Sequence, residues 1–250
     1  MFSEIFQNRQ NAPWQTYMLM LCSVAVTLAT FVFPNLRYVY GSFDDTADFM
    51  QRLNITFQHG FETVSALVHL VVDVFLIFFL GSYLEKLIGV FRFFTLTVTV
   101  VFVGAIVHQL LGLTGHGAAA MLWAFMPICW YTLNEGLLLK TRSKFDEFYR
   151  LLRTLIVIMF FVFPVFMSII PIYFDSETPW YEAMLRGNVM HLTGLLCGLV
   201  FLYFYREGIR LRLKQFAKKK KFEAEQSDRY AFLLSLFFPF LLLVGLLLSR

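Results

Sequence analysis

Residues 63–89 have the sequence TVSALVHLVVDVFLIFFLGSYLEKLIG, which is apolar over most of its length. The apolar part provides the roughly 20 residues that a helix needs to cross a bilayer. His69 and Asp73 lie inside it, four positions apart, so a helix places both on one face. Ionisable groups at membrane depth are costly and mark candidate functional sites. The stretch therefore predicts a membrane helix that carries part of a polar site.

The rest of the chain has the composition of an integral membrane protein. Hydrophobic residues make up 58% of the 250 residues and charged residues 15%, whereas soluble domains hold about 45–50% and about 25%. This composition excludes a water-soluble protein and leaves little sequence for a separate domain. The apolar runs, bounded by charges, Pro or Gly, predict seven membrane helices, at residues 14–33, 63–83, 93–113, 117–139, 154–174, 188–205 and 230–248.

The loops between these runs predict the orientation, because Lys and Arg accumulate on the cytoplasmic side of a membrane. Sixteen Lys and Arg residues fall on one side and four on the other. We expect a short cytoplasmic N-terminus (1–13), a core of six helices (14–206), a basic cytoplasmic loop (207–229) and a seventh helix (230–250). Acidic residues follow the basic run at 218–221 at once, so we interpret that run as a contact with anionic lipid, not with nucleic acid.

The polar residues of the membrane region cluster at a similar depth. The five histidines all fall in or beside the outer half of the predicted membrane: His59, His69, His108, His116 and His191. Histidine and aspartate are ligands for zinc or iron, but no His-x-x-x-His or His-Glu-x-x-His pair is present. We therefore expect neither a metal nor a cofactor. A proton or ion pathway, and hydrogen bonding among the histidines themselves, are the other interpretations of the cluster.

Small residues predict where two of the helices meet. Gly194 and Gly198 form a Gly-x-x-x-Gly face three residues after His191, and Gly117 opens the fourth apolar run. Such faces let helix backbones approach closely. We expect the fourth and sixth helices to pack in contact near His116, Gly117 and His191.

Five segments, in chain order, resemble the rhomboid intramembrane proteases. They are Arg52-Leu-Asn-Ile-Thr-Phe-Gln-His59 before the second helix, His69-Leu-Val-Val-Asp73 for the family's His-x-x-x-Asn, Gly81-Ser-Tyr-Leu-Glu85-Lys-Leu-Ile-Gly89 for Gly-x-x-x-Glu-x-x-x-Gly, Gly115-His116-Gly117-Ala118 for Gly-x-Ser-Gly, and His191-Leu-Thr-Gly194-Leu-Leu-Cys-Gly198 for His-x-x-Gly-x-x-x-Gly. The resemblance covers about residues 14–206. It implies an all-α polytopic membrane fold, a rhomboid-like six-helix bundle with one further C-terminal transmembrane helix.

The resemblance also implies a role for each matched position. In an active rhomboid, a Ser that opens the fourth helix attacks the peptide bond and a His of the sixth helix is its base. The His and Asn of the second helix, with a backbone N–H, hold the oxyanion. His191 matches the base and His69 matches one oxyanion donor, but Gly117 stands at the nucleophile position and Asp73 replaces the Asn. The spacing from His59 to His69 is also longer than is usual in the family.

These replacements predict that peptide cleavage is lost. Gly117 has no side chain to attack with, and removing the nucleophile of a serine protease costs about 10⁶ in kcat. An ionised Asp73 donates no hydrogen bond to an oxyanion, and losing one such donor costs about 10²–10³. A lone carboxylate at this depth is unfavourable, so we expect Asp73 to be partly protonated or paired to a histidine. The partners in reach are His69 on its own helix and, in a rhomboid-like bundle, His191 across it.

We therefore interpret the chain as a rhomboid-like pseudoprotease that binds transmembrane segments of other proteins, at His59, His69, Asp73, His116 and His191, without cleaving them. Its expected partners are such segments and the lipid bilayer, with no nucleic acid. Two alternatives remain open. One is an unorthodox protease that uses Ser65, Thr114, Thr193 or a metal-bound water, and the other is an ion- or proton-coupled transporter that depends on Asp73. The short tails hold no retention or transit signal, which favours a bacterial inner membrane.

Overall fold

A computed structural model of the protein describes residues 12–40, 48–59, 63–112, 118–138, 154, 180–217 and 227–248. The regular structure within these residues is helical throughout. The α-helices are α1 (Trp14–Val32), α2 (Arg37–Tyr40), α3 (Phe49–Asn54), α4 (Thr63–Leu76), α5 (Ser82–Ile88), α6 (Val90–Leu111), α7 (Ala119–Leu138), α8 (Trp180–Ala217), α9 (Ser227–Ser235) and α10 (Phe237–Leu248). Short 3₁₀ turns lie at Pro34–Leu36 and Ile55–Phe57, and a π-helical segment at Ile77–Gly81 joins α4 to α5.

The helices agree with the predicted all-α membrane fold. Within the described residues, the helical stretches long and apolar enough to cross a membrane are Trp14–Val32, Ala66–Ile88, Val90–Leu111, Asn188–Gln215 and Tyr230–Leu248. The fourth predicted run is the 20-residue helix α7. The fifth predicted run, at 154–174, lies outside the described residues except for Thr154.

Two predicted loops are helical instead. Helix α8 continues to Ala217, so the first half of the predicted basic loop at 207–229 belongs to the helix. The reason is an amphipathic pattern, in which Ile209 and Leu213 are fully buried while Arg210 between them is exposed. The predicted loop between the second and third runs reduces to Gly89, whose φ of +89° turns the chain from α5 directly into α6.

A buried acid fixes the first helix against the second membrane span. The carboxylate of Glu85, on α5, accepts hydrogen bonds from the backbone N–H of Gln15 at 3.1 Å and of Thr16 at 2.9 Å, and from the Thr16 hydroxyl at 2.8 Å. These N–H groups belong to the first turn of α1, which has no side-chain cap of its own. A carboxylate there also meets the positive end of the helix dipole. Glu85 thus caps α1 from a neighbouring helix.

The close contact between the fourth and sixth membrane helices is confirmed. A Cβ added to Gly194 on α8 would overlap the carbonyl oxygen of Ala120 on α7, and one added to Gly198 would overlap that of Ala124. The two helix backbones therefore approach closely, because neither glycine has a side chain to separate them. This contact places the part of α8 that carries His191 beside the start of α7.

The last helix packs on the segment that follows α1. Tyr40, on α2, donates from its hydroxyl to the carbonyl oxygen of Leu242 at 3.4 Å, and burial raises the pKa of Tyr40. A Cβ added to Gly245 would overlap the side-chain amide of Asn54, which is fully buried at the end of α3. Helix α10 therefore braces residues 48–59, which end at His59. We call these residues the outer segment, because they lie on the predicted outer side.

Candidate functional site

The second membrane span carries the centre of the site. His69 and Asp73 lie one turn apart on α4, and their side chains meet at 3.4 Å between His69 Nε2 and Asp73 Oδ2. The Asp73 side chain is 7% exposed, whereas that of His69 is 32% exposed. The predicted pairing of these two residues is therefore confirmed, and His69 is the member of the pair that reaches the surface of the site.

A tightly fixed outer segment leads the chain into this site. Asp48 and Gln51 form a capping box at the start of α3, each side chain bonding the backbone N–H of the other. Arg52 is almost fully buried and donates from Nη1 to the carbonyl oxygen of His108 at 3.0 Å, which anchors the segment to the end of α6. The following 3₁₀ turn ends where Gln58 N bonds the Ile55 carbonyl oxygen at 3.2 Å.

His59 follows this turn and is fully buried. Its Nδ1 lies 3.2 Å from the carbonyl oxygen of Phe57 and 3.3 Å from the hydroxyl oxygen of Thr27 on α1. The Thr27 hydroxyl itself lies 3.4 Å from the Phe57 carbonyl oxygen, to which it donates. The ring of His59 is therefore held in a fixed orientation between α1 and the outer segment.

Three nitrogen atoms converge on one oxygen of Asp73. The backbone N–H of Ala118 donates to Oδ2 at 3.2 Å. His59 Nε2 lies 3.3 Å and His69 Nε2 lies 3.4 Å from the same oxygen. His59 Nε2 is within ion-pair distance but is not aligned for a regular hydrogen bond. The arrangement makes Asp73 Oδ2 an acceptor, and the convergence joins the outer segment, α4 and the start of the fourth membrane helix.

The hydrogen bonds of His59 assign its tautomer. A carbonyl oxygen only accepts, so the nitrogen that faces Phe57, Nδ1, carries the proton. In a neutral ring Nε2 then has no proton, and it faces an oxygen of Asp73. Two acceptors at 3.3 Å repel unless a proton lies between them. The 3.3 Å contact between His59 Nε2 and Asp73 Oδ2 is therefore favourable only where one of the two atoms carries a proton.

His191 lies on the opposite wall of the site but has other partners. Its Nδ1 is 3.3 Å from the side-chain oxygen of Asn188, one turn earlier on α8. Its ring stacks on that of Trp123 from α7, with centroids 5.0 Å apart and an angle of 23° between the planes. Of the two partners expected in reach of Asp73, His69 meets its carboxylate, while His191 makes these two other contacts and the second histidine at the carboxylate is His59.

Several residues named from the sequence lie outside the described residues. They are Thr114, Gly115, His116 and Gly117, together with the side chain of Ser65. Thr193 is described and is a poor nucleophile, since its hydroxyl is buried and donates to the Val189 carbonyl oxygen of its own helix at 2.8 Å. In the part of the chain that the structure describes, no three His, Cys, Asp or Glu side chains are arranged to hold a metal ion.

The sequence did not identify three members of the site. Asn188 precedes His191 by three positions, a spacing at which helix residues are neighbours, so this pair could have been found. Ala118 acts through its backbone, and Trp123 lies within an apolar run, so neither has a distinctive signal in the sequence. The geometry brings together His59, His69 and Asp73 from the set of predicted residues, with His191 on the facing helix.

Comparison with known proteins identifies the family. A family model described as Rhomboid domain matches residues 64–208, more than half of the chain. No curated protein and no solved structure matches. The matched range contains His69, Asp73 and His191, and it ends within α8.

Proposed function

The chain belongs to the rhomboid family, and we propose that it is a member that binds transmembrane segments of other proteins without cleaving them. The observation that carries this proposal is the hydrogen bond from the Ala118 N–H to Asp73 Oδ2, at 3.2 Å. Asp73 stands where the family has a neutral Asn, and Ala118 directly follows the nucleophile position. Asp73 thus engages an N–H donor beside the position where a reacting carbonyl oxygen would need donors.

Catalysis by this arrangement would lack two contributions. An acceptor in place of a donor costs about 10²–10³ in rate when an oxyanion must be stabilised. Gly117 supplies no hydroxyl in place of the attacking Ser, a loss of about 10⁶ in kcat. The second effect is larger and is sufficient to abolish measurable cleavage by the usual mechanism. Thr193, the described alternative nucleophile, has its hydroxyl bonded to its own helix.

Binding of a partner helix needs hydrogen-bonding groups but no nucleophile. A partner helix that unwinds in the membrane exposes backbone groups that lipid cannot satisfy. The partly exposed His69 and the half-buried His191 offer such groups hydrogen-bond partners at the outer end of α4 and α8. In this proposal the partner docks laterally near the second and fifth membrane helices, and the N-terminus lies in the cytoplasm of a bacterial cell. The partner is then held, stabilised or passed on.

Crosslinking inside the membrane tests the proposal. A photoreactive amino acid at the exposed position Val68 or Val71 of α4 should crosslink to specific membrane proteins in cells. The same group at Phe240, exposed on α10, is the matched control and should give a different set. Identical sets from the two helices, or no protein adducts at α4, would contradict binding at this site. Labelling of a cysteine at the exposed Arg206 from the outer face would contradict the orientation.

A further inference from the structure

The last helix, α10, packs its buried face on the outer segment. Its buried residues Phe238, Leu242 and Gly245 lie four and three positions apart, so they share one face of the helix. The ring of Phe238 meets that of Phe57, with 6.3 Å between the centroids and 60° between the planes. A Cβ added to Gly245 would overlap the side-chain amide of Asn54. Two side chains of the outer segment are thus matched to two positions of α10.

Phe57 connects this contact to the polar site. Its carbonyl oxygen accepts the proton of His59 Nδ1 at 3.2 Å, and the Thr27 hydroxyl donates to the same oxygen at 3.4 Å. The other ring nitrogen of His59, Nε2, lies 3.3 Å from Asp73 Oδ2. The position of the Phe57 peptide group therefore sets the direction in which the His59 ring points. A chain of direct contacts leads from Phe238 on α10 to Asp73 on α4.

The packing of the two rings makes this chain of contacts sensitive to α10. The side chains of Phe57 and Phe238 are 1% and 0% exposed. Protein interiors are closely packed, so removing one of two buried rings leaves a cavity into which its neighbours relax. The bond from His59 to the Phe57 carbonyl oxygen, at 3.2 Å, is already at the long end of the usual range for N–H···O bonds. A small movement of the Phe57 peptide group is therefore enough to break it.

The two interacting parts lie outside the range 64–208 that matches the Rhomboid domain, whereas Asp73 lies inside it. The outer segment precedes that range and α10 follows it. We propose that α10 is a positioning element of the site, and that Phe238 is the residue through which it acts. By packing on Phe57, Phe238 holds the His59 ring in the orientation that meets Asp73. This inference is independent of the proposed function, because it concerns how the site is arranged and not what the site binds.

Nitrogen NMR spectroscopy of the purified full-length protein, isotope-labelled in its histidine side chains, tests the proposal. The signal of His59 is identified as the one that is absent from His59→Gln, and in the wild type it should report a proton on Nδ1. Phe238→Ala removes the ring that contacts Phe57, and we expect this Nδ1-protonated signal to shift and lose intensity. The matched control is Phe240→Ala, which removes the same ring from a position of α10 that is 62% exposed. It should leave the His59 signal unchanged.

A second variant, Phe238→Leu, serves if Phe238→Ala does not fold. Leucine keeps an apolar side chain between α10 and the outer segment but loses the ring, so we expect a smaller change of the His59 signal in the same direction. Circular dichroism of each sample shows that the helices are folded under the conditions of the NMR measurement. A wild-type His59 signal in a folded Phe238 variant would mean that α10 only stabilises the bundle, and would overturn the proposal. An equal change in Phe240→Ala would overturn it as well, since that side chain is exposed.

Discussion

The imidazole of His59 meets the carboxylate of Asp73 with 3.3 Å between Nε2 and Oδ2. His59 has its other ring nitrogen directed at the Phe57 carbonyl oxygen, at 3.2 Å, so both of its ring nitrogens face oxygen atoms. The buried Asp73 side chain thus has polar partners, without which a carboxylate at membrane depth would be costly. The same oxygen of Asp73 accepts the Ala118 N–H. His59 and the Ala118 N–H thus meet Asp73 at one oxygen atom, next to the start of the fourth membrane helix.

Replacing Asp73 with Asn should leave the fold intact. An Asn side chain has the same shape and can place either its oxygen, which accepts the Ala118 N–H, or its NH₂ group, which donates to His59 Nε2, at the Oδ2 position, and it carries no charge that needs a partner. We expect the free energy of unfolding to change by less than about 1 kcal/mol. Thermal unfolding of the purified protein in detergent measures it. Loss of folded Asp73→Asn protein would mean that the carboxylate charge is structurally required.

Replacing His59 with Ala should be much more damaging, and the damage should depend on Asp73. The variant removes one of the two histidines that meet the buried Asp73 carboxylate, and breaking a buried pair typically costs about 3–5 kcal/mol. With Asp73→Asn also present, there is no charge at this position to compensate, so we expect the cost of His59→Ala to fall by at least about 1 kcal/mol. A double-mutant cycle of unfolding free energies measures this coupling. Additive effects of the two substitutions would refute the coupling of His59 to Asp73.

The sequence predicted those parts of the site that depend on local spacing. His69 and Asp73 share a helix face at i and i+4 whatever the rest of the fold, and Gly194 with Gly198 requires a close helix neighbour. His59 could be named as a candidate, but its contact with Asp73 depends on the path of the 3₁₀ turn at Ile55–Phe57. That path is set by buried long-range bonds, such as the one from Arg52 to the end of α6.

At two further places the structure differs from what the sequence predicted, and both differences have a physical cause. The hydrogen bond from the Ala118 N–H is made by the backbone, which every residue type except Pro provides, so no sequence pattern marks it. Helix α8 extends to Ala217 because buried Ile209 and Leu213 recur at the helical period among arginines. Charged residues that predicted a loop, such as the exposed Arg210, lie on a helix instead.

Replacing Glu85 with Ala should destabilise the bundle through α1. The substitution leaves two buried backbone N–H groups, of Gln15 and Thr16, without an acceptor, and each lost partner costs about 1–3 kcal/mol. We expect a loss of at least about 2 kcal/mol in unfolding free energy. Glu207→Ala removes an acid that is 69% exposed and serves as the control. Similar stability of the two variants would contradict the capping role.

Replacing Gly194 with Ala should separate α7 from α8. The new methyl group would overlap the Ala120 carbonyl oxygen, a backbone atom that cannot move without shifting a helix. We expect about 2–3 kcal/mol of destabilisation, as for other overpacked sites. Gly104→Ala is the matched control, because its Cβ would stand 3.0 Å from the flexible end of Met190. A Gly194 variant as stable as the Gly104 variant would show that the helix contact is looser than described.

The last prediction concerns cleavage, because it separates a binding protein from a protease. The wild type should not cut a reporter transmembrane substrate in purified form, since Gly117 provides no nucleophile and Asp73 accepts the adjacent N–H. Gly117→Ser alone should remain inactive within detection, because the acid still engages the Ala118 N–H where an oxyanion needs donors.

Gly117→Ser with Asp73→Asn supplies a hydroxyl and a donor together. We expect weak cleavage from this pair that is lost on His191→Ala, since His191 is the matched base. The contacts of His191 with Asn188 and Trp123 keep that rate low, because they hold its ring in one orientation. Gel-based detection of the product over matched reaction times measures all four proteins. Cleavage by the wild type that survives purification and disappears on His191→Ala would disprove the pseudoprotease proposal, and Ser65 and Thr114 would then be the nucleophiles to replace.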